Sequence, residues 1–342
     1  MSPTLRPYDA LRRIAFLLER SRAGTYRVKA FRTAAATTLA TDPGELASRA
    51  DSGTLTDLPG IGPATESVIR QCLAGEIPAY LRSLEDRATQ PLVPGGLEVR
   101  AALRGDLHSH SDWSDGGSSI QEMVVTAMDL GHEYLVLTDH SPRLQIANGL
   151  SSERLSKQLR VVEEINSAVG TFGLLKGIEV DILDDGSLDQ SQQMLSQLDL
   201  RVASVHSKLA MSQAPMTRRL IAAVGNPQTN ILGHCTGRLV EGERGTRGQS
   251  SFDAAAVFAA CAAHDVAVEI NARPERCDPP DDLMVQARDA GCLFSIDSDA
   301  HAPGQLDFLI YGCARAERIG VPVETIVNTW PKDRLLAWAN PA

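Results

Sequence analysis

The sequence predicts an α/β protein, a parallel sheet or β/α barrel preceded by a small all-helical domain. Beyond about residue 103, short apolar runs alternate with helical stretches: Tyr134–Leu137, Gly177–Val180, Arg201–Val205, Asn230–Leu232, Val266–Ile270 and Leu293–Ile296. That alternation is the mark of repeated β/α units. Before residue 88, Leu11, Ile14, Ala15 and Leu18 fall at helical spacing. A basic aromatic segment from Arg20 to Arg32 and a second helical stretch from Leu55 to Leu73 follow. Between the two patterns, Gln90-Pro91-Leu92-Val93-Pro94-Gly95-Gly96 breaks any regular element. The expected organisation is a helical domain over 1–88, a linker over 89–103 and a barrel domain over 104–342.

Length and composition agree with two folded parts. At roughly 100–200 residues per domain, 342 residues make about two domains, each able to bury a core without disulfides. The longest apolar run, Ala254 to Ala263, is far short of the ~18 residues that cross a bilayer. The stretch Ile14 to Leu18 is too short for a signal peptide, so a cytoplasmic location is expected. The six cysteines form no C-x-x-C pair and read as reduced thiols. The net charge of -10 is uneven, since residues 1–90 carry +2 and residues 91–342 carry -12.

In the helical part, Leu58-Pro59-Gly60-Ile61-Gly62-Pro63-Ala64 reads as a tight turn entering a helix. Gly60 and Gly62 let the backbone approach a phosphate, and the helix start leaves N–H groups to receive it. The turn therefore looks like a helix-hairpin-helix, a device that holds the DNA backbone without reading sequence. Arg20, Arg22, Arg27, Lys29 and Arg32, interleaved with Tyr26 and Phe31, could add phosphate and stacking contacts. Gly60, Ile61, Gly62, Arg27, Lys29 and Arg32 are the candidate DNA-binding residues. A purely structural hairpin or a protein-docking domain is the competing reading.

In the barrel part, six of the eight histidines stand at or just after apolar strands. Asp106-Leu107-His108-Ser109-His110 puts two imidazoles on one side of an extended strand. Asp115 follows on a polar loop, His140 closes the Tyr134 strand and Glu179 lies within the Gly177 strand. His206 and His234 cap the next two, and Asp299 and His301 follow the last. In a β/α barrel such strand ends converge on one face. Imidazole and carboxylate without thiolate suit Mn²⁺ or Zn²⁺, with Fe²⁺ as a further option. Nine ligands are too many for one ion, and two or three ions point to phosphoester hydrolysis. His132 and His264 read as ordinary packing or surface histidines. Lys208 and Arg238, close after His206 and His234, are candidate phosphate clamps.

Taken in order, the DLHSHSDWSDG, LTDHS, GIEVD, SVHS, GHCTGR, EIN and DSDAH motifs resemble the polymerase and histidinol phosphatase (PHP) family. The likeness is greatest to the C-terminal PHP domain of bacterial family X DNA polymerases. It implies a distorted seven-stranded β/α barrel with a trinuclear centre. One metal would be held by His108, His110, Glu179 and Asp299, a second by Glu179, His206 and His234, and a third by Asp115, His140 and His301. Cys235 departs from the proline expected there and reads as a packing residue. Residues from Tyr8 to about Glu85 resemble the small N-terminal DNA-binding domain of the same polymerases. Where that domain carries 5′-phosphate-binding and Schiff-base lysines, this helix reads Ala64-Thr65-Glu66-Ser67-Val68-Ile69-Arg70, so no lyase activity is expected. The linker leaves no room for a palm and thumb, so no polymerase activity is expected either.

Three functional readings follow. The first is a metal-dependent phosphoesterase of DNA ends, acting as 3′–5′ exonuclease, 3′-phosphatase or phosphodiesterase, or abasic-site endonuclease. It would be cytoplasmic and associated with the nucleoid when bound to DNA. The second is a small-molecule phosphomonoesterase of the histidinol phosphatase type. The third is a catalytically silent scaffold in a repair complex, which would require ligands that this chain has not lost.

Overall fold

A computed structural model of the chain describes residues 5–242 and 245–341. The chain forms two compact units that divide after Pro91. The first holds helices α1 (Pro7–Arg20), α2 (Thr25–Ala40), α3 (Pro43–Ser52), α4 (Pro63–Leu73) and α5 (Ala79–Ala88). Prolines in the first turn start α1, α3 and α4, where a missing N–H costs nothing. Asp42 caps α3 by accepting the Gly44 and Glu45 N–H groups at 2.9 and 3.1 Å. Helix α1 lies against α2, α4 and α5. The spacing of Leu11, Ile14 and Leu18 puts them on one buried face.

The second unit begins with a short helix, α6 (Leu97–Ala102), inside the segment expected to be linker. Gly96, at φ 79°, turns the chain into it, and its N–H donates to Glu317 at 2.7 Å. Six residues are too few for periodicity to reveal such a helix.

Seven parallel strands follow in the sheet order in which they occur: β1 (Gly105–Ser109), β2 (Tyr134–Leu137), β3 (Gly173–Asp181), β4 (Leu200–Ser204), β5 (Ile231–Leu232), β6 (Ala267–Asn271) and β7 (Phe294–Asp297). Between them run α7 (Ile120–Asp129), α8 (Ser152–Ala168), α9 (Gln192–Leu195), α10 (Gln213–Val224), α11 (Ala254–Ala263) and α12 (Asp281–Asp289). Helices α13 (Leu309–Ile319) and α14 (Lys332–Ala339) complete the chain. The first and last strands meet across the seam, where Ser109 bridges Ala300 and the Leu107 N–H donates to Asp297 Oδ1 at 3.1 Å. This is the seven-stranded near-barrel that the sequence predicts.

Every strand is buried along its length except Lys176, because helices cover the outside while side chains fill the inside. Phe258, Leu220, Met284 and Ile296 belong to the largest apolar cluster. Consecutive parallel strands place all strand ends on one face, so residues nearly 200 apart in sequence become neighbours.

Candidate metal centre

All nine predicted ligands come together at that face. His108 lies in β1 with His110 just beyond it, and His140 lies three residues past β2. Glu179 projects from β3, and His206, His234, Asp299 and His301 follow β4, β5 and β7. Glu179 is the hub. Its Oε1 is 3.2 Å from His206 Nε2 and 2.8 Å from His234 Nε2. Its Oε2 is 2.8 Å from His140 Nδ1, 3.4 Å from His108 Nε2 and 3.6 Å from His110 Nε2. Asp299 Oδ1 lies 3.3 Å from His110 Nε2, and Asp115 Oδ1 lies 3.4 Å from His140 Nε2 and 3.3 Å from His301 Nε2.

These separations suit metal coordination. Two ligand atoms about 2.1 Å from one ion stand roughly 3.0–3.4 Å apart in octahedral or tetrahedral geometry. Three groups meet that geometry: His110, Asp115, His140 and His301; His108, His110 and Asp299; and His140, Glu179 and His206. They overlap the expected trinuclear sets but differ in detail: His110 and His140, not Glu179, are shared between two groups, and His234 reaches Glu179 only by its own contact. Unmet lone pairs make the same point. His108 Nε2, both His110 nitrogens, His140 Nδ1, His206 Nε2 and His234 Nδ1 are buried without a hydrogen-bond partner. Buried polar atoms are normally satisfied, and the orphans that face Glu179 or Asp299, namely His108 Nε2, His110 Nε2, His140 Nδ1 and His206 Nε2, fit a divalent cation.

Charge state and orientation are set by the surroundings. Burial, followed by the neighbouring His301 and His140, pushes His110 down to about 3, which keeps the imidazole neutral and able to ligate. Burial works against ionisation of Glu179, but His206, His140 and His108 outweigh it and hold the carboxyl well below its usual range. For His140, burial is likewise outweighed, by Glu179 and Asp115, and the ring is held up to about 10. A metal would replace those protons.

The residues behind the cluster lie within the quoted motifs but were given no role by sequence reasoning. Glu269 Oε1 accepts His108 Nδ1–H at 2.6 Å, which leaves Nε2 free to face the cluster. Its other oxygen accepts the His234 backbone N–H. Asp181 accepts His206 Nδ1–H at 3.2 Å in the same manner. Asp139 does not point inward. It accepts from the Ser111 N–H at 2.8 Å, Ser111 Oγ at 2.6 Å and Gln158 Nε2 at 2.5 Å, and so ties the β1 and β2 loops together. Asp299 holds a left-handed backbone at φ 50°, a strained conformation that aims its carboxylate inward and fits a functional residue.

The expected phosphate clamps are engaged elsewhere. Arg238 turns its guanidinium onto the carbonyls of Arg276 and Cys277, at 3.2 and 3.1 Å from Nε. Lys208 pairs with Asp184 at the exposed edge. The cations nearest the cluster are Arg276, whose Nε is 3.1 Å from Asp299 Oδ2, and Arg273, whose Nη1 is 2.9 Å from His301 Nδ1. Both follow β6. The sequence signal that could have found them is their position at a strand end, shared with the histidines.

The cluster has a closed and an open side. His108 and Glu179 are fully buried, whereas the side chains of His206, His301 and Asp115 are 13, 20 and 33 % exposed. Substrate would therefore arrive over Asp115 and His301. Cys235 is buried beside Asp278, 3.9 Å away, in keeping with its reading as a packing residue.

In the first unit, Gly60 (φ 80°) makes the hairpin turn where a Cβ would lie 2.4 Å from Thr33 Cγ2, so glycine is needed there. Ile61 is buried under the turn and Gly62 caps α4. Arg27 and Lys29 are exposed on α2. Arg32 differs from expectation, because its guanidinium grips Glu19 in two parallel bonds of 2.9 and 2.7 Å and braces α1 against α2.

Comparison with known proteins agrees with this architecture. A PHP domain model matches residues 106–273, spanning β1 to the segment after β6. Those residues carry a PHP domain. A helix-hairpin-helix domain model matches residues 3–76. The DNA polymerase/3'-5' exonuclease PolX of Bacillus subtilis is 35% identical over 226 residues, which cover 66% of this chain and 39% of that protein. The chain thus spans well under half of that relative. The probable phosphatase YcdX of Escherichia coli K12 is 28% identical over 242 residues, covering 68% of this chain and 91% of that one. A histidinol phosphate phosphatase structure from Lactococcus lactis, complexed with zinc, L-histidinol and phosphate, superposes with a TM-score of 0.45 at 17% identity. It covers 64% of this chain and 94% of that one. No helix among the described residues of this chain is long and apolar enough to cross a membrane.

Proposed function

We propose that this chain is a metal-dependent phosphoesterase acting on DNA ends as a 3′–5′ exonuclease, 3′-phosphatase or phosphodiesterase, with abasic-site cleavage as a related activity. The observation that carries the reading is the joining, in one chain, of a nine-residue histidine–carboxylate cluster to a helix-hairpin-helix domain. The exonuclease named in the Bacillus relative supports it. Two or three divalent ions, Mn²⁺ or Zn²⁺ with Fe²⁺ as a further option, would be held by the nine residues and supply charge neutralisation at phosphorus and an acidified water.

The chain's own residues do the rest. Glu269 and Asp181 hold His108 and His206 in the tautomer that presents Nε2. Arg273 and Arg276 place fixed positive charge where the nonbridging phosphate oxygens would lie, and this charge gains most as the ester oxygens become more negative. Arg238 supports Arg276 and Cys277 from behind. The hairpin, with Arg27 and Lys29 exposed beside it, holds the DNA backbone without sequence preference. Helix α4 has no lysine, so no lyase chemistry is part of this reading. The site of action is cytoplasmic, with nucleoid association when DNA is bound.

A second reading, a small-molecule phosphomonoesterase, is favoured by the Escherichia coli relative, named a probable phosphatase and matched over 91% of its length. One experiment separates the two. The protein is incubated with Mn²⁺ and a 5′-labelled strand ending in 3′-hydroxyl or 3′-phosphate, beside Asp299→Ala and a histidinol phosphate assay. Shortening or dephosphorylation of the strand, lost in the variant, supports the first reading. Intact DNA with phosphate release from histidinol phosphate replaces it with the second.

A further inference from the structure

The face that holds the cluster carries one apolar side chain in nearly full solvent view. Ile146 is 96 % exposed, the most exposed large apolar side chain among the described residues. It sits in a one-turn 3₁₀ helix, Gln145–Ala147, within the loop that leaves His140 and leads to α8. Single surface hydrophobes are common and need no explanation by themselves. Two further observations set this one apart.

The loop is fixed. The Leu150 N–H donates to the His140 carbonyl at 2.7 Å, and Asp189 Oδ2 accepts both Ser141 Oγ–H and the Arg143 N–H, at 2.9 and 2.6 Å. Arg154 Nη1 donates to the carbonyls of Asn148 and Gly149 at 2.7 and 3.2 Å. Asn148 takes the left-handed conformation at φ 55°. A Cβ on Gly149 would stand 1.9 Å from the Ser141 carbonyl oxygen, so the chain closes tightly at that point. A loop pinned in this way holds the isoleucine out instead of letting it fold back and bury its apolar area.

The loop also stands at the open side of the cluster. Asn148 Nδ2 donates to the Trp113 carbonyl at 3.0 Å, and Arg154 Nη2 donates to the same oxygen. Trp113 is two residues from Asp115, the most exposed of the nine. Arg143, three residues before Ile146 on the same loop, is half exposed, with its Nε 4.0 Å from Asp181 Oδ2.

We propose that Ile146 is a wedge for the end of a DNA duplex. It would insert against the terminal base step and unpair the 3′ nucleotide, so that its phosphoester reaches the cluster, with Arg143 holding the adjacent backbone phosphate. Apolar side chains of this kind are suited to separating stacked bases, and a buried reaction centre needs the terminal nucleotide taken out of the helix. The inference rests on the DNA-end reading above.

The test compares full-length wild type, Ile146→Ala and Ile146→Leu on one 5′-labelled strand, presented single-stranded and as the blunt end of a duplex. The quantity read is the ratio of the duplex rate to the single-strand rate. Ile146→Ala is expected to lower that ratio about tenfold, and Ile146→Leu to keep it near the wild-type value. An unchanged ratio in Ile146→Ala, or a wild type that acts on single strands alone, would overturn the wedge and leave the DNA-end reading standing. A wild type that cleaves neither DNA form but releases phosphate from histidinol phosphate would overturn both.

Discussion

Glu269→Gln probes the cluster from behind without touching a ligand. The carboxylate is fully buried and accepts on both sides, from His108 Nδ1–H at 2.6 Å and from the His234 N–H, with Asn271 Nδ2 at 3.3 Å from the second oxygen. Glutamine has the same shape but only one accepting oxygen. If that oxygen faces His108, the amide NH₂ meets the His234 N–H and the Asn271 amide, donor against donor. If it faces His234, the NH₂ donates to His108 Nδ1 and the ring proton must sit on Nε2. Nε2 is the atom 3.4 Å from Glu179 and 3.9 Å from Asp299, and once protonated it cannot ligate. Either outcome weakens the site. Loss of such a supporting carboxylate typically costs ten- to a hundredfold in metal affinity, about 1.4–2.7 kcal/mol. Metal titration of the chelated and dialysed protein by calorimetry reads the change, with circular dichroism to show that the barrel is intact. An affinity and stoichiometry equal to wild type would mean that His108 Nε2 is not a ligand, or that Glu269 does not set its tautomer.

Other measurements address the two units separately. Replacing both Arg27 and Lys29 with alanine should reduce the steepness of log K against log salt for DNA by about 1.4–1.8, from roughly 0.7–0.9 per phosphate contact; an unchanged slope would remove both from the interface. His132 is buried away from the cluster, with Nε2 3.1 Å from Arg100, and burial followed by Arg100 pushes its pKa down to about 3. The unfolded chain, with a histidine pKa of about 6.5, binds more protons below that value, so His132 makes stability fall as pH drops from about 6.5 towards 3. Urea midpoints at pH 7 and 5 should therefore differ less in His132→Gln than in wild type, and an equal difference would contradict the assignment.

How much of this was legible in the sequence follows from what one dimension preserves. Strand ends converge in a β/α barrel, so histidines at the ends of apolar runs could be read as one site before any coordinates existed. His108 and His110 were clearest, because strand geometry alone puts i and i+2 on one side. Glu269 and Asp181 stood inside the EIN and GIEVD motifs, but their role was not legible, since a buried carboxylate in or at the end of a strand shows its task only once its histidine partner is placed against it. The arginines show the limit most directly. Arg238, Arg273 and Arg276 all follow strand ends, yet Arg238 turns onto backbone carbonyls while the other two face Asp299 and His301. That distinction depends on how the segment after β6 folds back. Arg32 was misread for a similar reason, because its partner Glu19 lies 13 residues earlier on another helix.

The central claim is that the nine-residue cluster is a polynuclear metal site that performs phosphoester hydrolysis. Elemental analysis of the purified chain, made alongside phosphoester hydrolysis before chelation, after chelation and after return of Mn²⁺ or Zn²⁺, tests it most directly. The account predicts two or three ions per chain, with activity lost on chelation and restored with the metal. Fewer than one ion per chain, with hydrolysis undiminished by chelation, would contradict it.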